Sequence, residues 1–328
     1  MPDGVSRLRI PMPPAGFGAA QLGNLFRETS DAEATDAVDA AWAAGIRYYD
    51  TAPHYGLGLS ERRLGAALAG RARAEVLVST KVGRLLVPSP DSGDRYDDEG
   101  FAVPATMRRV WDFSADGVRR SLDASLNRLG LDRIDIVYVH DPDDHEQAAS
   151  SSAVPALVAL RDQGVVDAVG VGMNQSAMLA EFVRRHDIDL VMLAGRFTLL
   201  DQSALDDLLP LAEERGVGIV AAGVYNSGLL SQPRPAAAGM YDYMPARPEL
   251  VDRALRLAAV CDEHGVELPT AAIQFPLRHP AVVSVVVGAR TAEQVRVNVE
   301  RLATPIPDDL WSELESSGLV RPLNGARG

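Results

Sequence analysis

The chain has 328 residues, 47% of them hydrophobic, and its 45 acidic against 32 basic side chains leave a formal net charge of −13. A chain this acidic is a poor general binder of phosphate backbones, which argues against nucleic acid as a partner. No run of 18 or more apolar residues marks a membrane span, and the lone Cys261 rules out an internal disulfide and suits a reducing cytoplasm.

The opening stretch MPDGVSRLRIPMPP lacks the apolar segment of an export signal, so a cytoplasmic location is expected. Short β-branched runs then alternate with amphipathic stretches. Strands are expected over 15–20, 46–50, 76–81, 134–140, 165–172, 190–194, 217–222 and 282–287. Helices fit between them. One spans 31–44, with Ser30 as N-cap and Gly45 as stop; another spans 115–129, between Ser114 and Gly130. Others fit 203–215 before Gly216 and 249–264 before Gly265. Parallel strands need helical crossovers, so eight such units predict one (β/α)8 TIM barrel over 1–328. The competing open doubly wound sheet would show a Gly-rich phosphate turn, which GFGAAQLG only loosely imitates.

Two connections are long: 82–113 after the third strand, and 224–248 after the seventh. Both leave C-terminal strand ends, where a barrel keeps its active site. The acidic part, 89–100, reads equally well as a disordered insertion.

Asp50 closes IRYYD, Lys81 closes VLVSTK and His140 closes IDIVYVH, while Tyr55 lies five residues past Asp50 in DTAPHYG. Singly, each has a bland reading: a turn cap, a half-buried aromatic, a solvent-facing strand end, a core histidine. Together they should converge on one mouth. A buried Lys needs a carboxylate, and Asp50 on the neighbouring strand can supply it. A free Tyr has a pKa of about 10, and a nearby ammonium favours the tyrosinate. A neutral His can orient a substrate oxygen. Such a group permits proton transfer coupled to hydride transfer.

The stretches DTAPHYGLGLSERRLGAAL, LVSTKVG, RSLDASLNRLGLDRIDIVYVHDPD, VGVGMN and VVGARTAEQVRVNVE resemble the aldo-keto reductases. The resemblance implies that Asp50, Tyr55, Lys81 and His140 form a catalytic tetrad with Tyr55 as acid/base. It implies a monomer or weak homo-oligomer that binds a nicotinamide dinucleotide across the barrel mouth, and no metal. Gly18 and Ala19 match positions near the nicotinamide ribose, with Asp50 close by, and Asn174 matches a carboxamide-binding residue. Val224, Tyr225, Asn226 and Gly228 fall in the pyrophosphate loop; Gly288, Arg290, Gln294 and Asn298 fall on the adenosine side. The sequence departs from the family at Met173, at Ala194 where a Gln is usual, and at Ala222 and Gly223 where an aromatic is usual. Relatives that take NADP often carry Arg where Gln294 stands, which favours NAD over NADP here, although Arg290 could grip a 2′-phosphate.

HDPD, GRFTLLDQ and GVYNSGLL resemble one branch of that family: aldose 1-dehydrogenases for L-fucose, D-threo-aldoses or L-galactose, and pyridoxal 4-dehydrogenase. The implied reaction oxidises a cyclic hemiacetal to a lactone. Polar substrate contacts are then expected from His54, Trp111, Asp141, Arg196 and Asn226. Alternatives are an NADPH-dependent aldehyde or ketone reductase, and a cofactor-binding regulatory subunit.

Overall fold

The computed structural model describes residues 10–323. Residues 1–9, which carry most of the stretch read as lacking an export signal, and 324–328 lie outside the described residues. Among the described residues no helix is long and apolar enough to cross a membrane.

Eight parallel strands close into a barrel: Ala15–Gly18, Tyr48–Asp50, Leu77–Val82, Ile136–His140, Ala168–Met173, Leu190–Ala194, Gly218–Ala222 and Val282–Gly288. Each pairs with its sequence neighbours and the eighth pairs with the first, with Phe17 opposite both Val287 and Tyr49. All eight expected strands are present; five start one to three residues later than expected, and the first ends at Gly18, two residues early.

Alternation along each strand sends side chains in two directions. The inward set, including Tyr48, Ile136, Tyr138, Leu190, Met192 and Val220, fills the barrel, with Ile10 and Met12 packed against it. The outward set joins the helices in the larger core, from Val78 and Val137 to Leu122, Phe182 and Leu257.

The caps act as their sequences require. Ser30 accepts from the Glu33 amide and the Glu33 carboxylate accepts from the Ser30 amide, opening the helix Asp31–Ala43. Ser114 caps Ala115–Leu129, which ends at Gly130 with φ +64°. The expected helix over 203–215 is split. A 3-10 turn covers Ser203–Leu205, and the α-helix starts only at Leu208. Asp201 Oδ1 accepts from both the amide and the hydroxyl of Ser203, which favours a tight turn there.

The long 82–113 connection is an ordered hairpin, not a disordered insertion. Arg84–Pro88 pairs antiparallel with Met107–Trp111. Two of its acidic residues are tied down: Asp97 takes two donors from Arg109, at 2.5 and 3.2 Å, and Glu99 lies 3.3 Å from the same guanidinium. The other long connection carries a second, two-residue hairpin, Met240–Tyr241 against Met244–Pro245.

Candidate active site

Three neighbouring strand ends bring the four expected polar groups together. Asp50 ends the second strand, Lys81 lies one residue before the end of the third, and His140 ends the fourth. Asp50 and Lys81 are 3% and 2% exposed, too buried for either charge to stand alone. The Lys81 ammonium spends its three donors on Asp50 Oδ2 at 2.7 Å, the Thr51 carbonyl at 3.0 Å and the Tyr55 hydroxyl oxygen at 3.0 Å. Nothing else can compete for it.

Ser79 went unnoticed in the sequence, although it sits two residues before Lys81 and therefore on the same strand face. Its hydroxyl donates to Asp50 Oδ1 at 2.6 Å. The Tyr48 hydroxyl lies 3.0 Å from Ser79 Oγ and 3.4 Å from that of Tyr138. The ion pair thus rests on a hydrogen-bonded floor inside the barrel.

Tyr55 hangs from the loop after the second strand, and two glycines fix its position. A Cβ on Gly23 would come within 2.6 Å of the Tyr55 carbonyl carbon, and Gly56 sits at φ +61° with its Cα face against the Gly23 carbonyl. Only glycines let these two segments touch. Beyond them, Ser60 Oγ donates to the Ala19 carbonyl at 2.6 Å and lies 2.9 Å from Thr51 Oγ1, tying both segments to the next helix.

Electrostatics separate the roles. Burial pushes the Tyr55 hydroxyl up to about 12, and the pull of Lys81 in the other direction does not overcome it. The expected depression of this tyrosine is therefore reversed in the free protein. Burial would strip the proton from Lys81, but Asp50 and Tyr55 outweigh it and hold the ammonium above its usual range. His140 is held neutral, well below the ordinary histidine range, by burial and then by Arg84 and Lys81. His54 falls to about 2 for the same reasons, with Arg109 adding to Arg84. Arg84 donates to His54 Nδ1 at 3.2 Å, which makes that nitrogen the acceptor and leaves the proton on Nε2.

Two connected lobes open above this group, each of about 510 Å³. The inner lobe is walled by Tyr55, His54, His140, Asp141, Asn174 and Ala194, with Phe101 and Glu99 from the first hairpin and Asp242 and Tyr243 from the second. The outer lobe is walled by Gln21, Val224, Tyr225, Gly228, Gly288, Arg290, Gln294, Asn298 and Arg301. Leu25, Phe26, Gly223, Asn226, Ser227 and Tyr243 line both. Buried Gln21 Oε1, Asn226 Oδ1 and Arg301 Nε have no partner in the protein. A long groove whose lining residues hold buried polar atoms without a protein partner fits an extended dinucleotide.

Several expected residues stand elsewhere. Trp111 lies directly opposite Arg84 in the hairpin ladder, 4.5 Å above its guanidinium, and stacks on Phe113, so it stays off the lobe wall and 46% exposed. Arg196 forms a fork with Asp242 at 3.0 and 2.7 Å and does not line the inner lobe; Asp201 is more distant, at 3.9 Å. Gly18 and Ala19 support the groove from behind: Gly18 packs against Gly288, Ala19 is fully buried, and the walls are formed by Ala20 and Gln21. Arg290 lines the outer lobe, but its guanidinium donates to the Leu25 and Arg27 carbonyls and to Thr29 Oγ1, which leaves little for a phosphate. Tyr225 is on the outer lobe, its hydroxyl donating to Asn298 Oδ1 at 3.1 Å, so no aromatic ends the seventh strand. Phe26, Phe101 and Tyr243 supply the aromatic surface, on loops whose course the sequence does not reveal.

Comparison with known proteins places this geometry. The chain is 52% identical over 315 residues to the D-threo-aldose 1-dehydrogenase of a Pseudomonas species, covering 95% of each. It is 41% identical to the pyridoxal 4-dehydrogenase of Microbacterium luteolum, covering 93% of this chain and 94% of the relative. A holo-form aldo-keto reductase of Bacillus halodurans superposes with a TM-score of 0.73 at 27% identity, covering 97% and 96% of the two chains. The profile of the Aldo/keto reductase family matches residues 14–318, and the chain belongs to that family of oxidoreductases.

Proposed function

We propose that the chain oxidises the anomeric carbon of an aldose to a lactone, with Tyr55 as acid and base and a nicotinamide dinucleotide, NAD in preference to NADP, as the second substrate. The observation that carries this reading is the buried Lys81 ammonium, held by Asp50 on one side and donating to the Tyr55 oxygen on the other. A nicotinamide ring bound where the two lobes meet would take the hydride from the anomeric carbon.

The protein's part is to remove one proton. The substrate hydroxyl donates to Tyr55 and meets neutral His140, whose ring stands edge-on to Tyr55 at 5.9 Å between centroids. Tyr55 accepts that proton as the tyrosinate, having first released its own proton to solvent; burial makes this form costly, and the Lys81 ammonium beside it lowers the cost. A hemiacetal hydroxyl is more acidic than an ordinary alcohol, so less is asked of the base. In the reverse direction Tyr55 returns the proton. In this reading Asn174 holds the carboxamide end, and the loop Val224–Gly228, whose Asn226 and Gly228 amides are already bonded to the Gly223 and Tyr225 carbonyls, holds the pyrophosphate through its other amides.

The preference for NAD is supported by the adenosine end. Gln294 is neutral and its Oε1 accepts from the Arg290 amide, Arg290 itself is occupied, and Glu293 places a carboxylate on the wall. A 2′-phosphate would find the Arg290 guanidinium already spent, and the Glu293 carboxylate, paired with Arg296, adds no positive charge.

Likeness to the pyridoxal 4-dehydrogenase keeps pyridoxal as a second candidate. A screen of aldoses and pyridoxal against NAD⁺ and NADP⁺, followed by nicotinamide absorbance, tests the reading. Turnover of one aldose with NAD⁺ supports it. Turnover of pyridoxal alone moves the substrate. Reduction of simple aldehydes with NADPH, and no oxidation, overturns it.

A further inference from the structure

We propose that the inner lobe admits uncharged, hydroxyl-bearing substrates and turns away those with an anionic group remote from the reacting carbon. The inference uses the aldose reading for the class of natural substrate, but the charge rule stands on the walls of the lobe.

Three carboxylates, those of Glu99, Asp141 and Asp242, line the inner lobe, and among the described residues no Lys or Arg does. The nearby arginines are spent on these acids and on Asp97. Arg84 donates to Asp141 at 2.6 Å, Arg109 pairs with Asp97 and reaches Glu99 at 3.3 Å, and Arg196 is forked onto Asp242. A carboxylate with one guanidinium partner keeps lone pairs for a further donor, which suits a hydroxyl and disfavours an anion. Asn226 adds an independent observation. It lines both lobes, its amide nitrogen donates to the Gly195 carbonyl at 3.3 Å, and its Oδ1, buried just beneath the surface, has no partner in the protein. That atom too asks for a donor. The outer lobe is different in kind, since Arg290 and Arg301 are on its wall. Cationic surface is thus confined to the dinucleotide's end of the groove.

The test compares molecules that differ in charge alone or nearly so. With NAD⁺, L-galactose is set against L-galacturonate, which carries a carboxylate in place of the terminal CH2OH. With NADH, methyl 4-formylbenzoate is set against 4-carboxybenzaldehyde, so that the neutral partner is also the larger one. In each pair the anion is expected to show kcat/KM at least about tenfold lower. The gap should narrow when salt rises from about 0.02 to about 0.5 M, and at low salt in Glu99→Gln/Asp242→Asn. Equal values within each pair overturn the proposal, as does a gap that neither salt nor the double variant changes. If L-galactose is inert while the benzaldehyde pair keeps a salt-sensitive gap, the aldose reading fails and the charge rule survives. If neither pair reacts, affinities of the same four compounds for the NADH complex, read by fluorescence, replace rates, and equal affinities overturn the rule.

Discussion

Replacing Lys81 with Met keeps the volume of the side chain's stem and removes its charge. Asp50, 3% exposed, is then left with Ser79 as its side-chain donor. Breaking a buried ion pair from one side costs about 3–5 kcal/mol, because the surviving charge is uncompensated. At about 2.1 cal/mol/K per residue, 328 residues carry an unfolding entropy of about 0.7 kcal/mol/K, so the midpoint should fall by about 4–7 °C. Scanning calorimetry of Lys81→Met measures this. The double variant Asp50→Asn/Lys81→Met removes both charges and should recover most of the loss. Neither should turn over substrate at more than about a hundredth of the wild-type rate, since Tyr55 has lost its cation in both. A Lys81→Met protein melting within about 1 °C of wild type would refute the reasoning, as would a double variant less stable than the single.

Tyr55→Phe should abolish turnover while leaving dinucleotide affinity, read by fluorescence titration, unchanged; wild-type-like rates would remove Tyr55 from the chemistry. Because folded His54 titrates at about 2 and His140 well below its ordinary value of about 6.5, both are neutral in the fold and take up protons only on unfolding through most of the acid range. The stability this confers is complete above about pH 6.5 and drains away as pH falls, by up to about 1.4 kcal/mol per pH unit for each histidine. Urea midpoints between neutral and acid pH should show that slope, and His54→Gln should make it shallower. Gly56→Ala places a side chain at φ +61° against the Gly23 carbonyl. It should lose about 1–3 kcal/mol in denaturant titration and, by shifting Tyr55, lower kcat more than it raises KM. Trp111→Ala should change kcat/KM by no more than about threefold, because the ring is half exposed and off the wall of the inner lobe; a larger loss would return Trp111 to the substrate wall.

The sequence determined the barrel and which polar residues meet at its mouth. Period-two runs, helices with Ser30 and Ser114 at their starts and Gly130 after the second, and polar residues closing three successive strands are local signals, and a parallel barrel turns strand ends into one mouth by its symmetry. Tertiary structure decided the rest. Which way Arg84, Trp111 and Arg196 face depends on hairpins whose pairing partners are far apart in the chain, as with Arg84 and Trp111, 27 positions from each other by number and directly opposite in the ladder. Arg290 looked available for a phosphate because its acceptors, the carbonyls of Leu25 and Arg27, belong to the opposite end of the chain. The tyrosine's proton affinity was misjudged for the same reason: a neighbouring ammonium can be inferred from spacing, but the depth of burial that opposes it is set by the closure of the whole barrel around both.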